Sequence, residues 1–338
     1  MNTAVTADRA VEVEQPVAAR TSILRTILLR QETWLLAVVV LIAVIASIRN
    51  PNFMNPDNLV EILRGSVIYF IMGCGAALLV IGGGLDFSVG AIFTLSALVG
   101  TSLISQGVPI VVGILAALAV GALAGVVNHL IVTYWHVPPI IATLGTFFMA
   151  LGLSALITGG NDVVPLPAEF MKLGQGSVAF IPNVIWYGLI VGALSYFVLE
   201  KTRFGVNVRA VGGNRQAAIG NGLRVVRIDL VLYIVAGVTA AIAGMIYSAR
   251  VGAGQVEAGG SSVTLVVVTG VLIGGVSLLG GLGSITGVAV GAVLLSVIDN
   301  ALIVAQIPPQ YNNVVVGAIL VGAVAVDHLR RKQLYKPR

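Results

Sequence analysis

Long apolar runs alternate with short polar turns along this chain. Ten runs stand out, at residues 33–48, 66–83, 88–105, 108–133, 138–158, 183–199, 228–250, 263–279, 284–304 and 311–327. An α-helix needs about 20 apolar residues to cross a hydrocarbon core about 30 Å thick. The pattern therefore predicts an all-α fold: a polytopic membrane protein with about ten transmembrane helices. An even count puts both chain ends on one side.

One interval breaks the rhythm. Thr202 to Gly222 is polar, basic and punctuated by Gly205, Gly212, Gly213, Gly220 and Gly222. Glycine in a helix interior costs about 1 kcal/mol against alanine. The spacing predicts one or two short surface helices, around Arg209–Val211 and Arg215–Ile219, with Asn214 as N-cap of the second. A loop that merely carries positive charge is the alternative. Two other connections stand out. Residues 49–58 hold two prolines and four asparagines and read as a turn-rich loop. Residues 159–182 are longer, a length that often carries function or short structure of its own. A docking surface for an external partner and a plain solvated loop both fit them.

Charge gives the orientation. The chain is 57% hydrophobic and 10% charged, with mean hydropathy +1.01, whereas soluble domains carry about 25% charge. Of 19 Lys and Arg residues, fifteen fall in three segments. These are the N-terminal tail (Arg9, Arg20, Arg25, Arg30), the island with its flanks (Lys201, Arg203, Arg209, Arg215, Arg224, Arg227) and the C-terminal tail (Arg330, Arg331, Lys332, Lys336, Arg338). The positive-inside rule makes that side cytoplasmic. The expected organisation is a cytoplasmic tail at 1–32, a transmembrane domain at 33–327 and a cytoplasmic tail at 328–338. Within the domain lie a cytoplasmic loop at 201–227 and an external loop at 159–182. The same rule accounts for the net charge of +5 without a nucleic-acid partner. Asp8, Glu12 and Glu14, with no early apolar core, speak against a cleavable signal peptide.

Little chemistry is encoded. Cys74 is the single cysteine, so neither an intrachain disulfide nor a Cys/His metal site is expected. No P-loop sequence occurs, and no His-Glu-x-x-His or Gly-x-Ser-x-Gly. Three histidines do not make a proton relay. The reading is of a non-enzyme that binds no cofactor itself. Asp86 is one of few carboxylates near the membrane, where a central charge costs at least about 2.5–3.5 kcal/mol and marks a pathway or a paired group. It reads as an N-cap for the next helix, with Ser88 in the first turn, or as a pathway residue. Asn128-His129 and Asp299-Asn300 suit hydrogen bonds between helices or substrate contact. A faint internal similarity relates Ile81 to Gly90 with Ile273 to Ser284; paired glycine-interrupted segments point to repeats and a transport path.

Four motifs in one order carry a resemblance. Thr202-Arg203-Phe204-Gly205, then Ala210-Val211-Gly212-Gly213-Asn214, Ala217-Ala218 and Gly222-Leu223, is similar to the coupling loop of permease subunits of bacterial monosaccharide (ribose-type) ABC importers. Gly83-Gly84-Leu85-Asp86-Phe87-Ser88-Val89-Gly90 resembles that family's Gly-Ile-Asp-Leu-Ser-Val-Gly signature. Ile140 to Thr146 is similar to its Phe-Ile-Ala-Thr-Leu stretch, and Leu278 to Gly287 to its Gly-Gly-x-Gly segment.

The resemblance implies a multi-pass inner-membrane permease subunit for a pentose, hexose or related polyol. It implies cytoplasmic ATP-binding subunits that carry the ATP, an external sugar-binding protein, and a second permease copy or homologous permease, all amid membrane lipid. Arg203, Gly205, Arg209, Gly212, Gly213, Asn214, Arg215, Ala217, Ala218 and Gly222 would face the ATPase. Candidate pathway residues are Gly84, Asp86, Ser88, Thr143, Phe147 and Asn300, with Phe147 offering a ring to a sugar's apolar face. Two departures stand beside it. The family's acidic pair in a Gly-Tyr-Glu-Leu-Asp-like segment is absent from Gly260 to Leu265, the nearest carboxylate being Glu257, which leaves the sugar open. Ile219-Gly220-Asn221 replaces basic and serine residues, which leaves the detailed contacts open. The competing class is an ion-coupled secondary transporter or channel without ATPase subunits; an intramembrane enzyme lacks its Ser/His or paired-Asp arrangement.

Overall fold

The computed structural model describes residues 31–334 apart from position 309. Most of the expected tail 1–32 and positions 335–338 lie outside the described residues. The helices are, in chain order, α1 (Gln31–Arg49), α2 (Pro56–Ile81), α3 (Val89–Ser105), α4 (Ile110–Tyr134), α5 (Pro139–Thr158), α6 (Ala168–Gln175), α7 (Asn183–Lys201), α8 (Arg203–Gly213), α9 (Arg215–Gly220), α10 (Val225–Val251), α11 (Ser261–Ile273), α12 (Ile285–Val304) and α13 (Gln310–Leu334). A 3-10 turn at Pro51–Met54 and a two-stranded antiparallel hairpin, β1 (Ser177–Val178) with β2 (Ile181–Pro182), complete the described residues.

A helix occupies each of the ten apolar runs. Seven of them, α1, α2, α4, α5, α7, α10 and α12, are long and apolar enough to cross a membrane. The apolar parts of α3, α11 and α13 are shorter. Two boundaries differ markedly from the sequence reading. α2 starts ten residues earlier than the apolar run, because the Asn55 side chain accepts from Asp57 N–H and Pro56 takes the first helical position. α11 stops at Ile273 rather than 279, because Gly275 turns the chain at φ +88°.

The core centres on α2 and α10, which bury residues around much of their circumference. Lipid tails are as apolar as leucine, so helices associate here by close packing and hydrogen bonds. Gly121 of α4 and Gly237 of α10 show how close: a Cβ on either would sit 2.3 or 2.0 Å from the other's carbonyl oxygen.

Side-chain hydrogen bonds order the two faces. Ser284 Oγ, before α12, donates to Glu32 at the start of α1 over 3.2 Å. Asn50 Nδ2, after α1, donates to the Val304 carbonyl at the end of α12 over 3.0 Å. The start of α1 thus shares a face with the end of α2 and the island, called here the island face; the opposite one is the far face.

The internal similarity is geometric. Gly82, Gly83 and Gly84 N–H groups donate to Leu78, Val80 and Leu79 carbonyls; Gly274, Gly275 and Val276 donate to Gly270, Leu272 and Val271. These are the same Schellman ladder, with Gly83 (φ +87°) and Gly275 (φ +88°) in the left-handed position that only glycine fills without strain. The 159–182 connection carries structure of its own, α6 and the hairpin.

Candidate functional site

The island folds as two short helices. Thr202 Oγ1 accepts from Gly205 N–H over 3.3 Å and Asn214 Oδ1 accepts from Ala217 N–H over 3.0 Å, so Asn214 is the N-cap its type predicts. Val208, Val211 and Ala218 are buried and hold the pair against the helices beneath. Gly205 and Gly212 lie inside α8 rather than between helices, a correction to the expected punctuation. Packing explains them: a Cβ at Gly205 would meet the Leu199 carbonyl at 2.0 Å, and one at Gly212 the Ile81 carbonyl at 1.9 Å. Around Gly212 the repeat-related turns converge. Gly281 N–H donates to the Ile81 carbonyl over 2.8 Å, and Gly280 packs on the Gly212 backbone. The end of α8 is therefore seated where the segment leading to α3 and the segment leading to α12 touch.

The arginines of the island divide. Arg209 pairs with Glu200 of α7, and Arg215 with Asp229 of α10 over 2.5 Å. Each pins the island to a spanning helix. Arg203 is exposed and makes no ion pair among the described residues, leaving its guanidinium free. Gly213, Asn214, Ala217 and Gly222, toward the other end of the island, are also exposed.

Below the first turn, residues 82–88 are non-helical and lead to a buried polar knot. Asp86 Oδ1 accepts from Ser88 N–H (2.7 Å) and from Ser88 Oγ (2.5 Å). Asn128 Nδ2 of α4 donates to Asp86 Oδ2 (3.1 Å) and Ser88 Oγ (2.8 Å). Thr146 Oγ1 of α5 donates to Asn128 Oδ1 (2.7 Å), and Phe87 N–H donates to Thr143 Oγ1 (3.1 Å). Asp86 is not the N-cap of α3 that one sequence reading made it: Ser88 stands at that position, before the first turn rather than in it and without a side-chain cap bond. Asp86 instead holds Ser88 and ties the approach to α3 to Asn128 of α4.

A second non-helical segment, residues 252–260, enters from the far face. Gly252 ends α10 at φ +80°. Gly254 then exchanges two backbone hydrogen bonds with Val163 (2.7 and 3.1 Å), and Val256 N–H donates to Asp162 Oδ1 (2.9 Å). The segment descends along α3: Gly254 lies beside Thr101 and Gly259 beside Gly90. Gly90 and Thr101 are eleven helical steps apart, about 16 Å, so α11 begins deep in the fold. There Gly90 N–H donates to Thr264 Oγ1 over 3.1 Å, and the first turns of α3 and α11 lie side by side. Above them Asn161, Asp162, Tyr247, Gln255 and Glu257 line an open cavity of about 620 Å³. Glu257, Ser261 and Ser262 are exposed at this depth. Lipid cannot solvate non-helical backbone and polar side chains; such segments persist at membrane depth only against protein or water.

A family described as the permease component of the branched-chain amino acid transport system matches residues 58–324. The chain belongs to this family. It is 32% identical over 294 residues to the D-allose transport system permease protein of Escherichia coli (strain K12), covering 87% of this chain and 90% of that one. It is 34% identical over 289 residues to the ribose import permease protein of Bacillus subtilis (strain 168), covering 85% and 89%. With the galactose/methyl galactoside import permease protein of Haemophilus influenzae it shares 31% over 322 residues, covering 90% and 95%. No solved structure matches.

Within this permease the six pathway residues named from sequence do not all meet. Asp86, Ser88 and Thr143 gather at the buried knot, whereas Gly84 belongs to the turn against Leu79 that leads to it. Phe147 packs beside α3 and lines, with Phe87, Ser261 and Thr264, a cavity of about 260 Å³. Asn300 is elsewhere: it exchanges two amide hydrogen bonds with Asn58 of α2 (2.9 and 2.8 Å), beside Asp299, which accepts from Tyr69 Oη over 2.9 Å. Both Asn128 and Asn300 thus serve as bonds between helices. Sequence reasoning noted Glu257 and Gly260 to Leu265 only as a departure from the family's acidic pair and did not read residues 252–260 as a non-helical segment entering the fold. Its signal was there, in Gly252, Gly254, Gly259 and Gly260 interleaved with Gln255 and Glu257 between two apolar runs.

Proposed function

We propose that this permease is the membrane subunit of a bacterial ABC importer and carries a monosaccharide or related polyol across the inner membrane. The observation that carries the reading is the seat of α8 on the touching glycine turns: a movement of α8–α9 reaches the break before α3 and the start of α12 through direct backbone contact. The island face is cytoplasmic, the chain crosses the bilayer ten times, with the shorter α3 and α11 completed by the non-helical segments 82–88 and 252–260, and separate ATP-binding subunits dock on the surface formed by Arg203, Gly213, Asn214, Ala217 and Gly222. ATP is bound and hydrolysed on those subunits; this chain holds no cofactor. Gly205, Gly212 and Ala218 serve packing beneath that surface, and Arg209 and Arg215 hold it in place.

Substrate enters from an external sugar-binding protein by the cavity lined by Asp162, Gln255 and Glu257. It passes the exposed starts of α11 (Ser261, Ser262) and the Phe147 ring. A second permease copy, or a homologous permease, covers this strip so that water and not lipid fills it. The sugar names of the relatives support a sugar over the amino acid of the family's description. The test is uptake into vesicles of the permease reconstituted with its ATPase subunits and sugar-binding protein. Uptake should need ATP and the ATPase and survive collapse of ion gradients. Uptake that persists without the ATPase and vanishes with the gradient would establish the secondary transporter instead.

A further inference from the structure

The hairpin between α6 and α7 is built at a conformational cost for a side chain that touches nothing. Its turn residues, Ala179 and Phe180, both adopt positive φ, 51° and 63°. Two-residue hairpins of this hand normally place Asn-Gly there, because L side chains rarely enter that region. Phe180 is 102% exposed and Val178 60%. A phenylalanine adds nothing to the turn, so its use lies outside the chain.

The surroundings say what it meets. Asn183 N–H donates to the Gly176 carbonyl over 2.9 Å, and Trp186 Nε1–H donates to the Val178 carbonyl over 3.4 Å. These bonds fold the hairpin back alongside the first turn of α7 rather than above it. Trp186 begins an exposed stripe that continues as Leu189, Ile190, Leu194 and Phe197, the spacing of one helical face. α7 is long and apolar enough to span, so this stripe faces acyl chains. Tryptophan favours the boundary between acyl chains and headgroups. Lys172 is exposed at the same level, since Asn183 Nδ2 donates to its carbonyl over 3.0 Å.

We propose that the hairpin is an interfacial anchor: Phe180 and Val178 sit among the acyl chains of the far-face leaflet, just under the headgroups, and Lys172 reaches lipid phosphate. The partner is the lipid surface, continuous with the lipid-facing stripe of α7. The anchor gives the 159–182 connection a fixed point at one end. The other end holds residues 252–260 through the Val163–Gly254 pair, so the bilayer itself restrains the re-entrant segment.

The test is spin-label accessibility in lipid nanodiscs, on the whole permease with its ATPase subunits. F180C and, independently, V178C are made on a C74A background and carry a nitroxide; N161C serves as the aqueous reference. Oxygen collisions should exceed those with a water-soluble nickel chelate severalfold at 180 and 178 and not at 161, and the values at 180 and 178 should not change on adding saturating sugar-binding protein. V178C decides the matter should F180C fold poorly. Chelate access equal to that at 161 would overturn the anchor. Loss of access only when the binding protein is added would assign the hairpin to protein docking, and the anchor would likewise fall.

Discussion

The turn after α2 and the turn after α11 close with the same three hydrogen bonds, yet the chain leaves them differently. After Gly84 it enters the fold and is bonded sideways: Asp86 to Asn128 of α4, and Phe87 to Thr143 of α5. After Gly275 it stays near the island face, loops through Gly280 and Gly281, and is capped by Ser284, whose Oγ accepts from Gly287 N–H over 3.0 Å. The first segment is bonded to two neighbouring helices; the second is bonded to the end of α2 through Gly281 N–H and Ile81, and to Glu32 through Ser284. Equal ladders thus lead to different partners, and Gly212 lies against both turns. A displacement of α8 bears on both segments at that contact.

The comparison breaks most sharply at that contact. Gly212→Ala places a Cβ 1.9 Å from the Ile81 carbonyl, which must move. Overpacking of this kind costs about 1–3 kcal/mol. ATP-dependent uptake should fall more than tenfold with membrane insertion unchanged. Gly220→Ala, also in the island, meets open space and should transport normally; equal loss in both would sink the role of the contact.

What each set of partners contributes is tested by thermal unfolding in detergent. Asp86→Ala leaves Ser88 N–H without its acceptor and takes one of two acceptors from the Asn128 amide, at about 1–3 kcal/mol for a buried group left unsatisfied. Ser284→Ala removes one cap, about 1 kcal/mol. The midpoint should drop clearly more for the first, and equal drops would mean that the two turns are equally tied. The smallest effect is expected for Asn300→Ala. Loss of an amide pair between membrane helices costs about 0.6–2 kcal/mol, and the KM for sugar should stay unchanged. A raised KM at unchanged stability would return Asn300 to the pathway.

Much of this permease is legible in order along the chain. The apolar runs marked where its helices lie, and Asn214 announced the start of α9, because hydropathy and capping act within a few residues. The island's polarity marked it as a surface. The 263–279 run was read as one long span because glycines at 274–275 look tolerable in so apolar a window; in the fold they end α11. The pathway set was half legible for a similar reason. Asp86, Ser88 and Thr143 come from neighbouring elements that the signature placed in order, whereas Asn300 was named for its polarity and found its partner 242 residues away in Asn58.

By itself, then, the sequence determined a helical membrane fold, its basic face, the positions of its breaks and the kinship of its two glycine turns. These rest on composition and short-range backbone preference. Only the tertiary structure decided that the segment after α10 descends some eleven residues along α3 before α11 begins. It alone decided that Asp86 is tied off by Asn128, and that Arg209 and Arg215 are pinned while Arg203 is free. Those outcomes depend on which backbones come within contact distance of each other, and glycine allows such approach at many positions without saying which one the packing will use.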